Sequence, residues 1–178
     1  MKTKKSGIIS VALSFCVLSA ANAGSHEALL APMTAVVLPD DESGLTKVAL
    51  WYDLSGLEAA EERTAARAAV EWTVPGVSEE GEYTFAAYPI EAAWDAGEVV
   101  AGEETLDVGS ERAASWAIES RDYDRHGAYA KFLVTDLVDG WVSGSTGNYG
   151  ILIEMSGVEA EAVTSLSGAR LSIRYAVE

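Results

Sequence analysis

Four aromatic and acidic residues have the chemistry that recognises sugars: Trp51, Trp94, Asp95 and Tyr123. A flat aromatic ring covers the apolar face of a sugar, and carboxylates or amides bond its hydroxyls. Trp116 is a further candidate for such an aromatic platform. Trp51 lies on the less apolar face of a predicted strand, where it could meet solvent. Each ring also fits ordinary burial, the more frequent fate of tryptophan, so the four residues are a predicted ligand-binding set.

Two acidic runs could supply oxygen ligands for calcium. Asp122 and Asp124 alternate with other residues ahead of His126, and residues 40–42 are consecutive acids. Calcium takes six to eight oxygen ligands in a defined loop, and neither run completes such a pattern. A solvated charged turn is the favoured interpretation of both, and calcium is the only cofactor that the sequence leaves open.

The chain carries no recognisable catalytic motif. It has no Gly-x-Ser-x-Gly, His-Glu-x-x-His or phosphate-loop sequence, and it has only two histidines. Pairs of carboxylates are abundant because 28 residues are acidic, so a pair by itself does not indicate a glycosidase. We expect a protein that is not an enzyme, with a polysaccharide-cleaving enzyme as a remote alternative.

The N-terminus has the pattern of a secretory signal peptide. Three lysines within the first five residues precede an apolar run over residues 8–21, and Ala21-Asn22-Ala23 is a small-x-small cleavage sequence. The apolar run is shorter than the roughly 20 residues of a membrane span. We expect residues 1–23 to be removed, which leaves residues 24–178 as one domain that is extracellular or periplasmic. Cys16 leaves with the signal, so no disulfide is expected.

The charge of the chain restricts its partners. The net charge of −16 becomes −19 when the three lysines of the signal are lost. Such a protein repels phosphate backbones and anionic lipid surfaces, so nucleic-acid and membrane-surface binding are disfavoured. Anionic polysaccharides are also disfavoured unless cations bridge them. No apolar segment after the signal is long enough to span a membrane.

The elements that would position these residues are short alternating strands. Apolar residues recur at every second position in segment after segment, and turn residues separate the segments. Residues 24–31 read as a lead-in to a first strand at 34–38. Further strands are predicted at 47–54, 67–74, 83–90, 129–134 and 169–177.

Three segments keep alternative interpretations. Residues 58–66 have high helix propensity, and a helix over 58–70 competes with a strand. Residues 91–104 are ambiguous, and residues 112–119 could be helical or extended. Several short strands with few helices indicate an antiparallel β-sandwich of the jelly-roll type, with one or two short helices.

Residues 135–155 organise the fold. Thr135 is predicted to cap a short helix that buries Trp141, and Gly144 to end it with a positive φ. Asn148 is expected to bond backbone, beside Tyr149, in a tight turn that Gly147 and Gly150 permit, and Gly150 should tolerate alanine poorly if its φ is positive. The six residues other than Gly147 therefore read as a structural motif, and Trp141 as a core residue.

The same stretch resembles a known family. Phe132-Leu-Val-Thr-Asp-Leu-Val-Asp-Gly-Trp-Val-Ser-Gly-Ser-Thr-Gly-Asn-Tyr-Gly-Ile-Leu-Ile153 is similar to the hallmark of DNRLRE-domain proteins. The final strand, Ala169-Arg-Leu-Ser-Ile-Arg-Tyr175, resembles that family's ending, and the strands at 48–55 and 66–72 resemble its opening pair. The resemblance implies a secreted jelly-roll domain of the kind grouped with carbohydrate-binding modules.

We therefore expect a secreted, non-catalytic β-sandwich that binds carbohydrate, with a polysaccharide or another cell-surface component as its partner. The alternative is a structural or assembly protein of the cell envelope or extracellular matrix with no small ligand. This alternative is suggested by the single domain and its generic acidic surface.

Overall fold

The chain forms two antiparallel sheets with two short helices. The computed structural model describes residues 25–38, 43–57, 63–74, 83–117, 123–124, 127–158, 163 and 168–177. The elements are β1 Ser25–Leu30, β2 Thr34–Val37, β3 Leu45–Trp51, β4 Arg63–Val74, β5 Thr84–Pro89, α1 Ala96–Ala101, β6 Ala114–Ala117, β7 Tyr123–Asp124, β8 Gly127–Leu133, α2 Thr135–Ser143, β9 Ile151–Ser156 and β10 Arg170–Val177.

The strand order is that of a jelly roll. Sheet 1 has the order β1-β10-β4-β8-β7, and sheet 2 has the order β2-β3-β9-β5-β6. Each pairing in these two sheets is antiparallel. The chain passes repeatedly from one sheet to the other, as the two interlocked Greek keys of a jelly roll require. The predicted fold class, an all-β sandwich with one or two short helices, is confirmed.

Alternating apolar residues bury one face of each sheet. In β3, Val48 and Leu50 are fully buried between the sheets. In β10, Leu171 and Ile173 are buried in the same core, whereas Arg174 faces solvent. The period of two places successive side chains on opposite faces, so these patterns fixed the inward faces correctly.

Several predicted elements differ from the observed ones. The predicted lead-in at 24–31 contains β1, which pairs along its whole length with β10. The competing helix over 58–70 is wrong where the structure describes it, because β4 already begins at Arg63. Residues 114–117 are extended in β6, and the predicted charged loop around Tyr123 contains β7, which pairs with the start of β8.

A second apolar layer covers the outer face of sheet 2. Val36, Ala49 and Leu152 lie directly across from one another on β2, β3 and β9, and all three are buried. Residues 90–109, which include α1, lie over this row and contribute Ile90 and Trp94 to the same cluster. This excursion forms one wall of the candidate site.

Helix α2 is held against β4 by its own side chains. Thr135 is the first helical residue and Val134 occupies the N-cap position, so the prediction that Thr135 is the N-cap is wrong. The Thr135 hydroxyl instead accepts a hydrogen bond from the backbone N–H of Ala68 at 3.1 Å. Trp141 is 7% exposed and belongs to the core, and Gly144 ends the helix with a φ of 72°, as predicted.

No helix within the described ranges is long and apolar enough to cross a membrane. The predicted signal, residues 1–23, lies outside those ranges.

Candidate functional site

Three of the four predicted ligand-binding residues line one groove. Trp51, at the end of β3, faces Trp94 and Asp95 from the excursion over sheet 2, in a groove of about 450 Å³. Its position follows from the register, since Trp51 pairs with Thr34 of the edge strand β2. The complete lining is Thr34, Trp51, Ala93, Trp94, Asp95, Ala96, Asn148 and Tyr149.

The two indole rings are fixed by neighbouring peptide groups. Trp51 Nε1 donates a hydrogen bond to the Asn148 carbonyl oxygen at 3.1 Å. Trp94 Nε1 donates to the next carbonyl, that of Tyr149, at 2.8 Å. Because each N–H group is already bonded within the protein, the rings can offer a ligand only their apolar surfaces. Both tryptophans are partly exposed, which leaves such surface open to the groove.

Asn148 joins the groove to Tyr52, the residue that follows β3. Its Nδ2 donates a hydrogen bond to the Tyr52 carbonyl oxygen at 2.7 Å. The predicted bond from Asn148 to backbone therefore reaches a residue 96 positions away in the chain, not one within its own turn. The Oδ1 of Asn148 is buried and takes no hydrogen bond from a described residue. The tyrosine hydroxyl of Tyr52 is itself buried and donates to the Ala169 carbonyl at 3.0 Å, and burial raises its pKa.

Gly150 permits the close approach that places Tyr149 in the groove. Its φ is +102°, and a Cβ there would lie 2.3 Å from the Leu50 carbonyl oxygen. The positive φ on which the expected intolerance of alanine at Gly150 depends is therefore present. The backbone can cross β3 at this distance only because glycine has no side chain.

Asp95 has a structural role in addition to its place in the groove. Its Oδ1 accepts hydrogen bonds from the backbone N–H groups of Gly97 at 2.7 Å and Glu98 at 3.0 Å, which makes it the N-cap of α1. Its own N–H donates to Glu104 Oε2 at 2.8 Å. The side chain is exposed, and its Oδ2 takes no hydrogen bond from a described residue, so that oxygen is open to a ligand.

The remaining predicted residues are not part of this groove. Tyr123 lies in β7, at the edge of sheet 1, whereas the groove is built on sheet 2. Asp124 lies in the same short strand, and Asp122 and the acids at 40–42 fall outside the described residues. Within the described ranges, no group of three histidine, cysteine or acidic side chains is placed to hold a metal ion.

A second groove on the same face of sheet 2 was not foreseen. It has a volume of about 350 Å³ and is lined by Tyr88, Arg112 and Glu154, among others. Arg112 Nε donates to the Tyr88 hydroxyl at 3.1 Å, and Lys47 lies 3.6 Å from Glu154. In the sequence, the alternation of β5 places Tyr88 on the outward face, and this position was the signal that could have indicated the second groove.

No family model matches the chain. No curated protein matches it either.

Proposed function

We propose that the groove between Trp51 and Trp94 binds carbohydrate and that the protein does so without catalysing a reaction. The observation that carries the proposal is the pair of indole hydrogen bonds to Asn148 and Tyr149. They direct the polar edges of both rings into the protein and leave apolar ring surface towards the groove. Such surface beside an open carboxylate oxygen is the combination that suits a sugar ring.

The polar chemistry of the groove suits hydroxyl groups. Asp95 can accept hydrogen bonds from sugar hydroxyls through Oδ2 while Oδ1 keeps its bonds to the first turn of α1. The carboxylate can serve two roles at once because each oxygen has two lone pairs. The resemblance of residues 132–153 to the DNRLRE-domain hallmark supports the same proposal, as does the predicted signal peptide, which suits a secreted protein that meets polysaccharide.

Affinity gel electrophoresis tests the proposal. Residues 24–178 would be run through gels that contain neutral or acidic polysaccharides, with calcium and with a chelator. We expect retardation by at least one polysaccharide. Trp51→Ala and Trp94→Ala should each weaken binding at least about tenfold, which corresponds to about 1.4 kcal/mol. Absence of retardation in every gel, or retardation that both substitutions leave unchanged, would reject the proposal.

Two matched controls separate binding from folding. Asp95→Asn keeps a side-chain oxygen for the helix cap but removes the charge, whereas Asp95→Ala removes both. If the carboxylate contacts the ligand, both variants lose affinity, and only Asp95→Ala also loses thermal stability. Trp141→Phe alters a core tryptophan that does not line the groove, so it should lower stability and leave retardation unchanged.

A structural or assembly role is the second candidate. It is favoured by the exposed apolar side chains on the outer face of sheet 1, where Leu133 is 54% exposed. A polysaccharide-cleaving enzyme remains the third candidate, and release of reducing ends from the polysaccharides that retard the protein would identify it.

A further inference from the structure

The outer face of sheet 1 carries a mostly apolar row, interrupted by one serine, that crosses four strands. Leu29 of β1 lies opposite Ser172 of β10, Ser172 opposite Ala69 of β4, and Ala69 opposite Leu133 of β8. The two leucines stand at the ends of this row, with small side chains between them. The row is therefore a shallow trough between two raised apolar edges, with Ala69 and Ser172 at its floor and charged side chains around it.

Exposed apolar side chains concentrate on this face. Within the described ranges, the exposed large hydrophobic residues are Leu29 (39%), Met33 (43%), Tyr129 (41%) and Leu133 (54%). Three of these four lie on the outer face of sheet 1, because their neighbours Ala28, Leu30, Ala130 and Phe132 point into the core. Grouped apolar exposure of this kind marks an interaction surface more often than scattered exposure does.

Basic side chains flank the apolar row. Arg67 and Arg174 lie opposite each other on one side of it, and Arg170 and Lys131 lie on either side of Glu71 on the other. The acids of the same face are paired: Glu27 accepts from Arg174 Nε at 2.8 Å, and Glu71 is bonded to Lys131. Among the side chains of this face that the structure describes, four cations stand against two carboxylates and give it a positive charge, although the chain as a whole carries −16.

The opposite outer face of the sandwich carries an acidic segment, defined here as residues 91–107. It contains six acids and no lysine or arginine. Five of the six are exposed and the sixth, Glu104, is partly exposed. The acids are Glu91, Asp95, Glu98, Glu103, Glu104 and Asp107.

We propose that the outer face of sheet 1 binds the acidic segment of a second copy of this chain. The two surfaces lie on opposite sides of one molecule, so they can meet only between molecules. A contact between two different surfaces of identical chains repeats from copy to copy and builds an open head-to-tail assembly unless a rotation closes it. The apolar row supplies contact area, and the charges set the partner and its orientation.

The size of the face predicts weak association. Four strands about 4.8 Å apart, each offering about seven residues at about 3.3 Å, present on the order of 450 Å². That is roughly half of what each partner buries in a stable complex. At roughly 0.5 M salt the screening length falls to about 4 Å, so this weak association should be detectable only at low salt.

Sedimentation velocity of residues 24–178 tests the proposal. At low salt, the weight-average sedimentation coefficient should rise steadily with protein concentration up to about the millimolar range expected for weak contacts. It should return to the monomer value in roughly 0.5 M NaCl. A monomer under all of these conditions overturns the proposal. The proposal is also overturned if the protein is a monomer at low salt and an acidic polysaccharide retards it in a gel through contacts with Arg67. The outer face of sheet 1 would then bind the polysaccharide and not a second copy of the chain.

Two charge variants make the test specific. The first, Arg67→Glu with Arg170→Glu, makes the outer face of sheet 1 acidic. The second, Glu98→Lys with Glu103→Lys and Asp107→Lys, neutralises the acidic segment and leaves the groove lining unchanged. Each variant alone should stay monomeric at low salt, with a melting temperature that shows it is folded.

Mixing the variants gives the deciding result. The intact acidic segment of the first variant can still bind the intact basic face of the second, and this contact cannot repeat because neither variant keeps both surfaces. The mixture should therefore form a one-to-one dimer and nothing larger. Continued self-association of either variant, or no dimer on mixing, overturns the proposal. Because no groove residue is changed, retardation by a polysaccharide reports on the proposed function separately.

Discussion

Asp139 of α2 accepts a hydrogen bond at 2.7 Å from the backbone N–H of Ala65 in β4, although the two residues are 74 positions apart. One helical turn earlier, Thr135 accepts from the N–H of Ala68. The pairing of β4 with β8 ends at Ala69 opposite Leu133. Beyond that point the side chains of α2 take the place of the missing strand and satisfy N–H groups that would otherwise lack a partner.

Removal of the Asp139 carboxylate should destabilise the fold. Asp139→Ala leaves the half-buried N–H of Ala65 without its charged acceptor, so we expect a loss of about 2–3 kcal/mol in the free energy of unfolding. Chemical denaturation measures it. Asp136→Ala, on the exposed side of the same helix, removes only a favourable charge near the helix N-terminus and should cost at most about 1 kcal/mol. Equal losses for the two variants would contradict the assigned role.

Trp141 should contribute to stability through its buried ring. Trp141→Ala leaves a large cavity between α2 and the sheets, and we expect a loss of about 3–5 kcal/mol in the free energy of unfolding. Urea titration followed by circular dichroism measures this change. A loss below about 1 kcal/mol would show that the ring is not a core residue.

Two glycines with positive φ should respond differently to alanine. Gly44 has a φ of +71° with nothing within 4 Å of an added Cβ, whereas a Cβ on Gly150 would collide with the Leu50 carbonyl. Gly44→Ala should cost about 1 kcal/mol from backbone strain alone. Gly150→Ala should cost more than about 2 kcal/mol, since β3 and the 148–150 segment must separate. Comparison of the two melting temperatures checks the order, and a reversed order would be inconsistent with the register of β3.

Glu71 should make stability depend on pH in acid. The hydrogen bond from Lys131 lowers the pKa of Glu71, and burial opposes this shift. The charge of Lys131, a hydrogen bond with Tyr129 and the charge of Arg67 lower the pKa further. A lowered pKa stabilises the folded state above the unfolded-state value of about 4.3, and the contribution disappears as pH falls through the folded-state pKa. Because both side chains are partly exposed, solvent screens the pair and the effect should stay below about 1 kcal/mol.

Paired denaturation curves measure the contribution of Glu71. Glu71→Gln should be less stable than the unmodified protein at pH 7 and equally stable near pH 2, in roughly 0.5 M salt to suppress association. A difference that persists unchanged at pH 2 would mean that the carboxylate acts through packing and not through its charge.

The strands were predictable wherever one face is buried. In β3 and β10 the alternation of apolar side chains fixed both the element and its inward face. Strand β1 was missed because Ser25–Leu30 shows little alternation, and its partner is β10, at the other end of the chain. Residues 63–66 were left open between helix and strand because the segment 58–66 favours helix locally, whereas pairing with β10 holds residues 63–65 extended.

The groove was predictable only in part. The residue types selected Trp51, Trp94 and Asp95, but the sequence could not show that the excursion at 90–109 folds back onto sheet 2 and brings them together. The same limit explains Tyr123, which shares its chemistry with the groove residues and lies on the other sheet. Asn148 and Tyr149 were interpreted as turn residues, and they also line the groove because Gly150 brings their backbone against β3.

The bonds from Trp51 and Trp94 to two consecutive carbonyls have a thermodynamic consequence. Large side chains that become ordered only when a ligand arrives cost conformational entropy, about 0.5–1.5 kcal/mol for each. Here the single segment at 148–149 holds both rings before any ligand is present. The groove is therefore preorganised, and a ligand that binds there gains the full value of both ring contacts.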